Sequence, residues 1–248
     1  MQITQIKIVD KTALGNFNFP ITRFFVPPTI NRVLLRASGF GGDGGANNGT
    51  RGAGGGGASG FIDQYIDVQP GSLITVASVL SNTGIQIGYV DLAGIAQALN
   101  IWHGFAGQDA SGTNPGNGGD SGNGGIGGTN GTETQRRPTG FVDGDGLIHS
   151  TGGWAGTGSA STTTNLINDL ACSALVGAKI QDYKTKFSFG LKFDVSLGGA
   201  GGCSYWGPGG VDGTSVSPNG YGAGAAGSAL RTPGGPAFVS ISFDWPDI

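Results

Sequence analysis

The chain has 248 residues, of which 52 are glycine and 11 proline; 37% are hydrophobic, only 12% are charged, and the net charge is −3. That apolar content is too high and the charge too low for a disordered tail. A pI near 5.2 carries no electrostatic footprint for DNA or RNA, and no run approaches the 18 or more apolar residues of a membrane-spanning helix.

In chain order, MQITQIKIVDK lacks a basic segment followed by an apolar one, so it is not read as a signal peptide. Ile3, Ile6 and Ile8 mark a first strand, and residues 1–19 read as a strand and docking segment. A single glycine-rich β domain is expected over 20–248, with inserted loops at about 100–160. Pro27-Pro28 stops any helix, and Val33, Leu35 and Ala37 then alternate with Arg32, Leu34 and Arg36 as a strand with one side largely buried. That strand runs into a glycine-rich stretch, 39–60. Gly39-Phe-Gly41-Gly-Asp-Gly44 is formally G-x-G-x-x-G, but ANNGTRGAGGGG follows, which cannot open the helix a dinucleotide site requires. FIDQYIDV and SLITVASVL read as strands joined at Gln69-Pro70-Gly71. Leu92, Ile95, Ala96 and Leu99, preceded by Asp91, have the spacing of one short helix interrupted by Gly94.

The stretch Gly104–Gly131 carries glycine at every third position from Gly116 to Gly131, and the same habit recurs at Gly39, Gly42, Gly45 and at Gly54, Gly57, Gly60. It recurs again at Gly198, Gly201, Gly207, Gly210 and Gly213. A three-residue period is that of the polyproline II helix, which has no internal hydrogen bonds. Its amides and carbonyls need outside partners. Several glycine-rich segments lying side by side and bonding backbone to backbone meet that need, and the 104–131 run reads as the organising stretch.

Residues 132–162 are polar and dotted with Phe141 and Trp154; Asp143-Gly-Asp-Gly146 there is an Asp-Gly turn, lacking the further ligands of a calcium loop. Leu166, Ile167, Leu170, Ala171, Ala174 and Leu175 form one helical face, with Thr164 or Asn165 as cap and Gly177 as terminator. Phe187, Phe189, Leu191, Phe193, Val195 and Leu197 alternate as a strand, and Val239, Ile241, Phe243 and Trp245 as the last one. The fold class expected is mainly β: sandwich-like strands framing packed polyglycine-II-like segments, with one or two short helices. Cys172 and Cys203 read as free thiols in the absence of an export signal, although sequence does not give their separation.

No catalytic pattern emerges. His103 and His149 sit in no metal-ligand spacing, no nucleophile elbow or P-loop lysine is present, and Glu133 is the single glutamate. The chain is read as a non-enzyme without metal or cofactor.

FFVPPTINRVLLRASGFGGDGG, GAGGGGASGFIDQYIDVQPGSLITV and GYGAGAAGSALRTPGGPAFVSISF resemble the glycine-rich domain of phage tail proteins, where a Val-Pro turn precedes a strand, a glycine run, a strand, Pro-Gly and a second strand. The triplet runs also resemble the tip adhesins of T-even-type long tail fibres, which pack polyglycine-II helices and bind bacterial receptors through the loops between them. The resemblance implies a virion protein of a tail fibre or spike, assembled in the host cytoplasm. It further implies a host surface receptor (a polysaccharide or an outer-membrane protein), other virion proteins as partners, and a homo-oligomer, with a trimer as the fibre analogy. Aromatics interleaved with glycine, namely Trp102, His103, Phe105, Trp154, Tyr205, Trp206 and Tyr221, are the receptor-binding candidates, since rigid rings on turns stack on sugars or fill apolar pockets at low entropic cost. The same rings can instead serve as core for the glycine layer. The second functional reading is a purely architectural virion part: spike base, fibre adaptor or capsid decoration. An ice-binding protein, the third, would need a flat Thr or Ala face that the sequence lacks.

Overall fold

The computed structural model describes residues 2–79, 83–129, 138–140, 150–156, 198–199, 201–207, 209–210 and 220–244, and the backbone of the short strands at 141–142, 148–149, 165–166, 171–175, 184–188 and 191–192. The strands are β1 (Gln2–Val9), β2 (Thr22–Phe25), β3 (Arg32–Ser38), β4 (Phe61–Asp67), β5 (Leu73–Ser78), β6 (Gly84–Val90) and β7 (Ala96–Trp102). After them come β8 (Phe141–Val142), β9 (Ile148–His149), β10 (Asn165–Leu166), β11 (Ala171–Leu175), β12 (Lys184–Ser188), β13 (Leu191–Lys192) and β14 (Ala237–Asp244).

The protein is mainly β. One antiparallel sheet has the order β1-β14-β3-β4 and a second β2-β5-β6-β7. The smaller groups are β12-β11-β9-β8 and β10-β13. Period-two alternation puts Val33, Leu35, Val239 and Ile241 of the first sheet in one core cluster with Ile74, Val76, Ile85 and Ile87 of the second, all fully buried. Each such side chain contributes roughly 1.5–3 kcal/mol on leaving water. β14 is buried on both faces. Val239, Ile241 and Phe243 join the sandwich core, while Phe238 packs with Tyr205 and Trp206 on the other side.

Four strands run straight into glycine-rich rods. β3 continues into 39–46, the rod 52–60 enters β4, β7 continues into 103–110, and 222–236 leads to β14. The rod 52–60 lies at the centre. Its amides point to three neighbours in rotation: Gly54, Gly57 and Gly60 donate to the carbonyls of Gln108, Phe105 and Trp102; Gly55 and Ala58 to Trp154 and Thr151; Gly56 and Ser59 to Ala225 and Gly222. Its carbonyls accept from three others. Gly39, Gly42 and Gly45 donate to Gly60, Gly57 and Gly54; Gly116, Gly119 and Gly122 to Gly52, Gly55 and Ala58; Gly199 and Gly202 to Ala53 and Gly56. A rod with three residues per turn turns successive amides by a third of a circle, so six neighbours satisfy it in hexagonal packing. Each glycine triplet is one ladder facing one neighbour. At about 3.1 Å per residue the central rod is roughly 28 Å long.

The run 104–131 is thus peripheral rather than central. Its rods 103–110 and 115–123 flank the 52–60 rod, and Gly124, with φ of +84°, turns the chain into the next rod. No helix occurs among the described residues. The segment expected as a helix at 92–99 is a hairpin. Asp91 Oδ1 accepts the amides of Ala93 and Ile95 (both 2.9 Å), Gly94 has φ of +79°, and β7 follows. The turn uses the carboxylate that would have capped a helix. The second expected helix contains β10 and β11, which pair with β13 and β12 instead. In the strand expected over 187–197, Lys184–Ser188 and Leu191–Lys192 are extended, and 193–197 lie outside the described residues. So do the Asp-Gly turn at 143–146, Glu133 and Trp245. Cys203 is disulfide-bonded rather than a free thiol; the only other cysteine in the sequence is Cys172. Within the 1–19 segment, β1 pairs with β14 along its whole length.

A Cβ at Gly57 would be driven into the carbonyl of Asp120, a backbone atom held in the lattice, whereas one at Gly88 in β6 meets only ordinary contacts at 3.9 Å. Gly57→Ala is therefore expected to cost about 3 kcal/mol, the upper end for overpacking, and Gly88→Ala to leave the urea midpoint within the range of a surface change. Equal midpoints for the two variants would contradict the packing.

Candidate functional site

The seven glycine-associated aromatics divide sharply. Tyr205 and Trp206 are buried. The Tyr205 ring stacks on Phe61 with centroids 4.3 Å apart, and its hydroxyl donates to Asp63 at 2.9 Å. Trp206 meets Phe238 edge-on at 5.0 Å and donates Nε1–H to the Ala37 carbonyl at 3.2 Å. Tyr221 is half-buried against Phe238. These rings cover the outer face of β14 and join lattice to sheet. Trp154 is buried too, its carbonyl accepting from Gly55. Trp102 and Phe105 are the exposed members, at 46% and 58% of their full surface.

His103 has a different job. It is buried where sandwich meets lattice, stacked on Phe17 at 5.0 Å and edge-on to Phe40 at 5.2 Å. Its Nδ1 accepts the Phe40 amide at 3.0 Å, which fixes the neutral ring with its proton on Nε2. The other side of Phe17 holds Lys11, whose Nζ lies 3.7 Å from the ring centroid. Lys11 is buried, pairs with Asp43 at 2.5 Å and donates to the Gly41 carbonyl at 2.9 Å. Asp43 also accepts the amides of Gly15 at 2.7 Å and Gly234 at 3.1 Å. The N-terminal strap is thereby tied to two glycine rods. Burial pushes the Lys11 pKa down against the opposing pull of Asp43. Burial first, and the Lys11 charge second, push His103 down to about 3.

At the end of the lattice away from the sandwich, the loops 47–51, 110–114 and 229–231 come together. Asn48 Nδ2 donates to the Gly112 carbonyl at 2.9 Å, and its Oδ1 accepts the amides of Thr50 and Arg51. Arg231 Nε donates to Asp109 Oδ1 at 2.9 Å, and Ala46 donates to the same oxygen at 2.8 Å. This pair lowers the Asp109 pKa and raises that of Arg231. Leu230 beside it is 71% exposed. The loop 110–114 lies within the inserted loops expected at about 100–160, whereas 47–51 and 229–231 carry no aromatic ring to mark them and are signalled only by their position between glycine runs. At the opposite end, a cleft of about 270 Å³ is lined by Arg32, Leu34, Tyr65, Ser242 and Asp244, among others. Among the described residues no group of His, Cys, Asp or Glu is arranged to hold a metal, and no helix is long and apolar enough to cross a membrane.

No family model matches the chain, and no curated protein or solved structure is significantly similar to it.

Two stability measurements follow from this geometry. The unfolded chain binds a proton at His103 near pH 6.5 and the folded one only near 3. The contribution of neutral His103 is thus complete above about 6.5 and is lost as pH falls toward 3, with a slope of up to ~1.4 kcal/mol per pH unit. His103→Asn, which keeps an acceptor for the Phe40 amide, should flatten the stability–pH curve between pH 6 and 4; an unchanged slope would contradict a neutral buried ring. Trp206→Ala should cost about 3–5 kcal/mol by thermal or urea unfolding, while Phe105→Ala should fall within about 0.5 kcal/mol of the parent.

Proposed function

We propose that the protein is a phage virion component of a tail fibre or spike that binds a host surface receptor through the loops between its glycine-rich segments. The observation that carries this reading is the lattice itself. A bundle of side-chain-poor rods is stiff because its backbones are bonded rod to rod, and it offers little chemistry of its own. What it does is hold loops 47–51, 110–114 and 229–231 together, about 28 Å from the strands that anchor it. Those loops are tied by Asn48, Asp109 and Arg231, so they are ordered before any ligand arrives, which lowers the entropic cost of binding. The resemblance of the strand–glycine–strand segments to phage tail proteins points the same way. A fibre or spike part would function in the assembled virion, beside other virion proteins.

A second reading, an architectural part without receptor contact, draws on the cleft at the opposite end. There Tyr65 is 60% exposed with the Arg32 guanidinium 4.9 Å from its ring, a surface suited to a neighbouring virion protein.

Purified protein is expected to bind cells of the phage's host and to compete with infection. Replacing 110–114 together with Leu230 by Gly and Ser should reduce that competition at least tenfold while leaving the melting temperature unchanged. Absence of both cell binding and competition by the parent protein would overturn the receptor-binding reading and leave the architectural one. Loss of particle incorporation in Tyr65→Ala would favour the latter.

A further inference from the structure

Among the described residues, no further rod covers one face of the lattice. The rods 103–110 and 115–123 lie side by side there, antiparallel, with Phe105 donating its amide to the Asp120 carbonyl and Gln108 to that of Asn117, both at 2.9 Å. Trp102, Phe105 and Gln108 are three residues apart, and all three are exposed. Opposite them Asn123, Asp120 and Asn117 run the other way with the same spacing, Asp120 exposed and the two asparagines half-buried. The Trp102 ring lies over Gly84 of the neighbouring strand, whose missing side chain leaves it room. Asp120 Oδ1 is held by the Gly127 amide at 2.7 Å.

We infer that this face is a binding platform for an uncharged polysaccharide, with Trp102 and Phe105 stacking on sugar rings and Gln108, Asp120 and the two asparagines bonding hydroxyls. The inference rests on the surface-binding reading above and adds a ligand class and a second contact surface on the side of the lattice. Three features carry it. First, residues three apart on such a rod repeat at about 9.3 Å. The residues that carry the two rings stand one step of that ladder apart, their carbonyls accepting from Gly60 and Gly57, and a ligand matched to a periodic ladder is itself periodic. Second, the rings are largely exposed, unlike Tyr205 and Trp206, so their solvation is the cost that a ligand would relieve. Third, the six side chains comprise two rings, three amides and one carboxylate with no cation. That set accepts from and donates to hydroxyls, and repels an anionic polymer.

The test is adsorption of the purified protein to host cells that are untreated, oxidised with periodate, or treated with protease, using the parent protein, Trp102→Ala, Phe105→Ala and, as an exposed aromatic on a different sheet, Tyr65→Ala. Unchanged melting temperatures establish that the variants are folded. The expected result is adsorption that periodate abolishes and protease spares, weakened at least tenfold by Trp102→Ala and by Phe105→Ala and unchanged by Tyr65→Ala. Soluble neutral polysaccharide prepared from the host surface should compete, and the acidic fraction should not. Adsorption that protease abolishes and periodate spares would overturn the inference and leave receptor binding standing. So would periodate-sensitive adsorption indifferent to both ring variants, or competition by the acidic fraction alone. No adsorption of the parent to untreated cells would overturn both.

Discussion

An extended rod with three residues per turn makes no hydrogen bonds to itself, and every buried amide must find a partner elsewhere. That constraint organises the molecule. At residues 52–60 it is met by six surrounding segments, three accepting from the rod's amides and three donating to its carbonyls. Backbones can approach this closely only where side chains are absent, as the contact between Gly57 and the Asp120 carbonyl illustrates. The glycine content therefore carries a double cost. Glycine loses the most entropy on ordering, and it brings almost no apolar surface. The lattice recovers this through the number of its hydrogen bonds and their exclusion of water, and it needs help from outside.

The help comes from the sandwich. The β3–β4 hairpin crosses from sheet into lattice without a break. Its ladder bonds at Ser38 and Phe61 give way to Gly39–Gly60, Gly42–Gly57 and Gly45–Gly54, so the pairing step lengthens from two residues to three. The apolar core fixes the register of four strands, and these deliver their rods already aligned, which removes much of the loop-closure cost. Two polar or aromatic clasps secure the junction: Lys11 and Asp43 with Phe17 and His103 on one side, Tyr205 and Trp206 over Phe238 on the other. A buried ion pair is weak evidence for stability in itself. Its use here is to fix the N-terminal strap against two rods.

Much of this was legible in the sequence. Alternation in RVLLRAS, SLITVAS and AFVSISF revealed the sandwich strands, and the triplets revealed that glycine segments would bond to one another. Length of run points to 104–131 as the centre, whereas composition by phase points to 52–60. A rod surrounded on all sides needs a small residue at each of the three phases, and GAGGGGASG at 52–60 meets that. The run 103–123 does not: Phe105, Gln108, Asn117 and Asp120 recur in one phase, which forces that phase outward. The helices expected at 92–99 and 164–177 failed for a related reason. Short apolar spacings fit a hairpin as well as a helix, and Asp91 and Gly94 serve a turn as readily as a cap. Burial of Tyr205 and Trp206 is beyond the sequence, since ring-plus-glycine is common to them and to the exposed Trp102 and Phe105, and only the packing against Phe238 of β14 separates them.

The functional reading inherits this architecture: an anchored, side-chain-poor shaft whose loops and one open face carry the chemistry. Its central claim is that residues 52–60 are the hydrogen-bonded core of the shaft. Amide hydrogen exchange of those residues measures it most directly. The account predicts protection comparable to that of β3 and β14, with factors above ~10⁴ set by opening of the whole domain. Exchange of Gly54–Gly60 at the rate of free peptide, while β3 and β14 stay protected, would contradict it.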